Sequence, residues 1–83
     1  MYRIEISPYA KRELLNIAKR HKHTIAEIIE ELKDDPYMGK SLTREFTGRY
    51  SYKVGVYRII YKVSKKDKRI SILTVGHRAT IYK

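Results

Sequence analysis

Cysteine is absent from the 83-residue sequence, so disulfides, thiolate metal sites and cysteine nucleophiles are excluded, and a reducing compartment fits. No apolar run approaches the roughly 18 residues that a membrane-spanning helix needs, and the amino terminus carries no signal-peptide core. A soluble, cytoplasmic chain without membrane contact is expected. Proline occurs twice and glycine four times, with no linker, repeat or low-complexity segment, so residues 1–83 read as one domain. A domain this small buries a modest core, which places any active site in a shallow position on a sheet surface and leaves no deep cavity for a small-molecule cofactor. Negative charge is scarcest where it matters most: between Tyr50 and Lys83 the only acidic residue is Asp67. That argues against paired-carboxylate chemistry and magnesium-dependent phosphoryl transfer on this half. Nor is there a Ser/His/Asp nucleophile signature, a glycine-rich phosphate loop before a helix, or a metal-ligand constellation.

Positive charge is plentiful and unevenly placed. Residues 1–49 hold ten Lys and Arg against eight Asp and Glu, a net +2, whereas residues 50–83 hold nine against one, a net +8, giving +10 for the chain. A basic surface of this kind steers polyanions towards the protein and provides salt-dependent affinity for phosphates, so a nucleic acid or an acidic protein is the expected partner.

The cations sit on a segment with strand periodicity. Tyr50, Tyr52 and Val54 alternate with Ser51 and Lys53, and Tyr57, Ile59, Tyr61 and Val63 alternate with Arg58 and Lys62. Gly55 between them can adopt the positive φ of a tight turn, so the stretch predicts a hairpin whose tyrosines and isoleucines cover a core. Lys53, Arg58 and Lys62 are then carried on paired backbone, three cations on a rigid surface suited to an anion, although Lys62 also reads as an ordinary solvated strand lysine.

Around this hairpin the chain predicts an α+β fold. Tyr2, Ile4 and Ile6 alternate as a first strand; Ser7 caps a helix with Pro8 at its first position; Ala10, Leu14, Ile17 and Ala18 form its apolar face. His21 to His23 interrupt the pattern as a turn, and Thr24 with Glu27 reads as a capping box for a second helix with Ile25, Ile28, Ile29 and Leu32 inward, stopping near Asp34 or Asp35 before Pro36. Residues 36–49 read as a loop, with a short extended piece near Leu42 to Phe46. After the hairpin, Ser64 to Arg69 form a charged turn, Ile70, Ile72, Leu73 and Val75 an inner strand that Gly76 ends, and His77 to Lys83 a polar tail. The expected architecture is one strand, a two-helix hairpin and three antiparallel strands in one sheet, with the helices packed on one face.

Lys53, Arg58, His77, Arg78 and Tyr82 are the candidate chemical groups. RNA carries its own nucleophile in the 2′-OH, so its cleavage needs a base, an acid for the leaving 5′-oxygen and cations for the charge that develops on phosphorus. Such a set contains no metal. A non-catalytic RNA-binding module would also explain the charge, but no exposed aromatic platform of the familiar RNA-binding motifs is visible.

The series Asp35-Pro36, Gly39-Lys40, Leu42, Gly48, Tyr50, Tyr57-Arg58-Ile59-Ile60-Tyr61, Val75-Gly76-His77-Arg78 and Ile81-Tyr82 resembles the RelE/ParE superfamily of bacterial and archaeal toxins, most closely its RelE branch, over essentially the whole chain. The resemblance implies a single RelE-like toxin domain with a microbial-RNase-like fold, ribosome-dependent cleavage of messenger RNA, and neutralisation by a cognate RelB-like antitoxin. It also implies Arg58 and Arg78 as phosphate and transition-state cations, Lys53 as base or charge stabiliser, and Tyr82 as a stacking or proton-handling aromatic. Lysine and tyrosine, with reference pKa values near roughly 10, would act as bases only where neighbouring cations depress them. Some relatives place a second lysine at the position of Ser51; here His77, whose imidazole is a common general acid or base, is the candidate to fill that gap. A ParE-like gyrase inhibitor shares the fold but does not require the closing His-Arg and Tyr.

Overall fold

The computed structural model describes residues 1–42 and 48–77. Strand β1 (Arg3–Ile6) leads through α1 (Pro8–Leu15) and α2 (Lys19–Leu32) to β2 (Lys40–Ser41), β3 (Arg49–Val54), β4 (Tyr57–Ser64) and β5 (Arg69–His77). The five strands form one sheet in the order β1-β5-β4-β3-β2, antiparallel except for the parallel pair β1–β5. This is the expected α+β architecture with one strand more: β2, only two residues long, lies inside the segment read as a loop. Of the extended piece expected at Leu42 to Phe46, residues 43–47 lie outside the described residues.

The helix caps follow sequence chemistry at one end and depart from it at the other. Ser7 Oγ accepts from the Ala10 amide at 3.0 Å and donates to the Leu73 carbonyl at 2.9 Å, so one hydroxyl both caps α1 and ties it to β5. The Thr24–Glu27 capping box is not formed. Helix α2 already begins at Lys19, and Thr24 lies within it, its hydroxyl bonded back to the Arg20 carbonyl at 3.4 Å. His21 to His23 are therefore helical, and His21 continues the inward stripe four residues before Ile25, with its ring 5.4 Å from that of Tyr57. Ala18, expected on the apolar face of the first helix, is the exposed residue preceding α2.

Ala10, Ile17, Ile25, Ile29 and Leu32 from the helical layer meet Val54, Ile59, Tyr61, Ile70, Ile72 and Val75 from the sheet, which together form the core. At full burial each large aliphatic side chain contributes about 1.5–3 kcal/mol. The hairpin places Val54 opposite Tyr57, with Gly55 at φ 61 as the first of two turn residues, the twist that matches the flanking strands. In β5 a bulge occurs where Ile60 faces Thr74 but Tyr61 faces Ile72, leaving Leu73 as the extra residue. The bulge changes the pleat phase, which is why Ile70, Ile72 and Val75 can all point into the core despite their uneven spacing. The strand continues through Gly76 to His77 and does not end at the glycine.

Strand β1 reaches only as far as Ile72, and α1 takes over the β5 edge beyond it. There Glu13 Oε1 accepts from Thr74 Oγ1 at 2.6 Å and from the Val75 amide at 2.8 Å, in place of a strand carbonyl.

Candidate functional site

Pleating divides the sheet into a face covered by the helices and a face on which no described helix packs. Residues paired across strands share a face, so the register shows which cations stand together. On the open face, Lys53 and Arg58 are directly opposite each other across β3 and β4, and the next position in their row, on β5, is Gly76. The adjacent row holds Lys40, Ser51 and Ile60, and the row after it Arg49, Lys62, Ser71 and Glu5. Lys53 and Lys62 are exposed and Arg58 is half-buried, whereas Ser51 and Ile60 between them are each 4% exposed. Five cations, Lys40, Arg49, Lys53, Arg58 and Lys62, thus frame a small buried floor, and among the described residues no acid is paired into the frame between them. Arg69, further along the face, is matched by Glu5 at 3.3 Å and Asp67 at 3.5 Å.

Lys53 and Arg58 are held by the hairpin as the sequence predicts. His77 is not brought to their row. It pairs with Tyr57, a residue of the helix-side pleat, and its ring meets the Tyr57 ring edge-on at 6.1 Å. The pleat of β5 therefore separates His77 from Lys53 and Arg58, and it does not fill the position of Ser51. Arg78 and Tyr82 lie outside the described residues. Lys40 and Arg49 were missed by sequence reasoning. Arg49 continues the alternation of Ser51 and Lys53 and could have been found; Lys40 joins the face only through the two-residue pairing of β2. Among the described residues no three His, Cys, Asp or Glu come together to hold a metal. An apolar groove of about 380 Å³, lined by Ile6, Leu14, Ile25 and Ile29, opens on the helix side of the sheet, away from this frame.

Comparison with known proteins agrees with the α+β fold. Residues 4–82 match the model of the ParE toxin of type II toxin–antitoxin systems. The chain belongs to the RelE/ParE family of type II toxins. It is 32% identical to Toxin RelG of Mycobacterium tuberculosis over 84 aligned positions, covering 99% of this chain and 97% of that protein. In the crystal structure of the RelBE2 toxin–antitoxin complex of M. tuberculosis, a 30% identical chain superposes with a TM-score of 0.86 over 93% of this toxin and 98% of that chain. The archaeal RelE–RelB complex of Pyrococcus horikoshii contains a chain also 30% identical, with a TM-score of 0.79 over 95% of this toxin and 97% of that chain. Among the described residues, no helix of this toxin is long and apolar enough to cross a membrane.

Proposed function

We propose that this toxin is a metal-independent, ribosome-dependent endoribonuclease that cleaves messenger RNA, acts in the cytoplasm and is neutralised by a RelB-like antitoxin. The observation that carries the reading is the Lys53–Arg58 pair on the cationic face of the sheet, where no described helix packs. Its support from relatives lies in the RelG and RelE toxins and in the RelE-type chains solved with their antitoxins.

Cleavage on this face proceeds by attack of the substrate 2′-oxygen on phosphorus as the P–O5′ bond breaks. The 2′-OH proton passes to a base and a proton reaches the leaving 5′-oxygen, so the products are a 2′,3′-cyclic phosphate and a 5′-hydroxyl. Arg58, with Arg78, stabilises the negative charge that grows on the phosphoryl oxygens, a role the guanidinium fork fills through paired hydrogen bonds. Lys53 acts as base or as a further stabilising cation, and Tyr82 stacks on a base or handles a proton. His77, on the other pleat beside Tyr57, stands at the margin of this set.

A second reading, inhibition of DNA gyrase, is favoured by the description of the matching family model as a ParE toxin. Induction of the toxin alone in cells separates the two. Cuts within codons of translated messages, persisting in extracts treated with a chelator, support the ribonuclease; intact transcripts with trapped gyrase–DNA complexes support the gyrase inhibitor.

A further inference from the structure

The cation frame extends beyond Lys53 and Arg58, and its far corner is built with more care than a two-residue strand requires. Lys40 is directly opposite Ser51. Its backbone is fixed from both sides: the Gly39 amide donates to Tyr61 Oη at 3.0 Å, Tyr61 Oη donates to the Pro36 carbonyl at 2.9 Å, and the Leu42 amide donates to the Arg49 carbonyl at 2.9 Å. A buried core tyrosine therefore sets the start of β2, and with it the position of an exposed lysine on the opposite side of the sheet.

Along β3, Arg49 and Lys53 flank Ser51 at about 7 Å, the two-residue repeat of a strand, and Lys40 stands about 5 Å away across the ladder. From Lys40 on β2 to Arg58 on β4 is two strand spacings, roughly 10 Å, with an added step of one row. That span exceeds one phosphate group and suits two neighbouring phosphates of an extended single strand. Ser51 at the centre of the frame is small and buried, so the surface that a sugar–phosphate backbone meets is made by the cations around it.

We propose that Lys40, together with Arg49, forms a second phosphate subsite that holds the phosphate adjacent to the one gripped by Lys53 and Arg58. The ligand is single-stranded RNA read through its backbone, and the inference deepens the ribonuclease reading and rests on it. Lys40 binds the substrate strand and takes no part in the proton transfers. Its contribution falls on ground-state and transition-state binding alike, and it carries no sequence preference.

The test uses the full-length toxin, oligouridylate of about ten nucleotides as binding probe, and ribosome-programmed cleavage of a defined message. Lys40→Gln, which keeps most of the stem, should weaken oligouridylate binding several-fold and lower the slope of log affinity against log salt by about 0.7, the change for one lost contact on a single strand. An oligoadenylate probe should lose the same factor. In the cleavage assay Lys40→Gln should raise KM with kcat retained, and Lys40→Arg should restore both binding and KM. Lys11→Gln, an exposed cation on α1, serves as the control and should change neither readout. A Lys40→Gln protein with unchanged unfolding temperature, salt slope and KM overturns the subsite. If the wild-type toxin binds oligouridylate with a Lys40-dependent slope but cuts no message, the ribonuclease reading fails and the subsite stands as an RNA-binding site. If it cuts messages without regard to Lys40, the subsite fails alone.

Discussion

The hydroxyl of Tyr61 accepts a hydrogen bond from the Gly39 amide at 3.0 Å, joining the middle of the core to the first residue before the β2 edge. A Cβ at position 39 would stand 2.5 Å from that hydroxyl and 3.0 Å from the Ser51 carbonyl oxygen, so only glycine lets the segment approach. Gly39→Ala should cost about 1–3 kcal/mol through overpacking, and Tyr61→Phe a similar amount by stranding the Gly39 amide and the Pro36 carbonyl. Urea unfolding of the two single variants and the double variant checks this. Because both changes break one linkage, the double variant should lose less than the two single losses combined.

Burial pushes the Tyr61 phenol up to about 12 from 10.0, partly offset by the hydrogen bond from Gly39. The folded protein thus favours the neutral phenol, and the stabilisation this gives is fully present below pH 10 and is lost as pH rises from 10 towards 12. Unfolding free energy measured at about pH 9 and about pH 11.5 should therefore fall more steeply for the wild type than for Tyr61→Phe, which has no phenol to ionise there. Parallel losses in both proteins would assign the alkaline sensitivity to other groups.

The hairpin and its cations were legible because Tyr50 to Val63 alternates cleanly and Gly55 marks the turn, two signals that act over a few residues. The start of α2 was not, because its first turn is polar and its inward residue there is His21, which packs as an aromatic against Tyr57 and does not register as apolar in a pattern. The bulge at Leu73 is equally local in cause and nonlocal in evidence: an unbroken run from Ile70 to Val75 does not say which residue is supernumerary until Ile60 and Tyr61 are paired with it. The same limit explains the candidate site. Lys53 and Arg58 are found by counting along one hairpin; Lys40 arrives by pairing across ten intervening positions, and His77 is separated from the cations by a pleat phase that the bulge resets.

At the β5 edge, the Glu13 carboxylate takes both the Thr74 hydroxyl and the Val75 amide. Glu13→Ala leaves that amide without its acceptor and should destabilise the fold by about 1–3 kcal/mol, a fall of very roughly 4–8 °C in Tm per kcal/mol for a domain of this size. Glu13→Gln keeps a carbonyl oxygen and should lose less. Hydrogen exchange provides the local readout, since protection at Val75 should drop in the alanine variant before it drops at Ile59 in the core.

Arg58 and Lys53 share a row on the open face, yet the proposed chemistry asks different things of them. A guanidinium that meets the charge developing on the phosphate acts mainly in the transition state, so Arg58→Ala should lower kcat for message cleavage by about a hundredfold or more while RNA binding falls only several-fold, because the neighbouring cations still hold the ground-state phosphates. Arg58→Lys should recover little, since an ammonium cannot present two parallel donors. At Lys53 the conservative change is the informative one: arginine keeps the charge but cannot accept a proton, so Lys53→Arg should remain active if the residue stabilises charge and should resemble Lys53→Ala if it is the base. Single-turnover cleavage on programmed ribosomes, with unfolding temperature measured for each variant, reads these effects apart from stability. An Arg58→Ala toxin that folds and cuts at the wild-type rate would remove the sheet face from the mechanism.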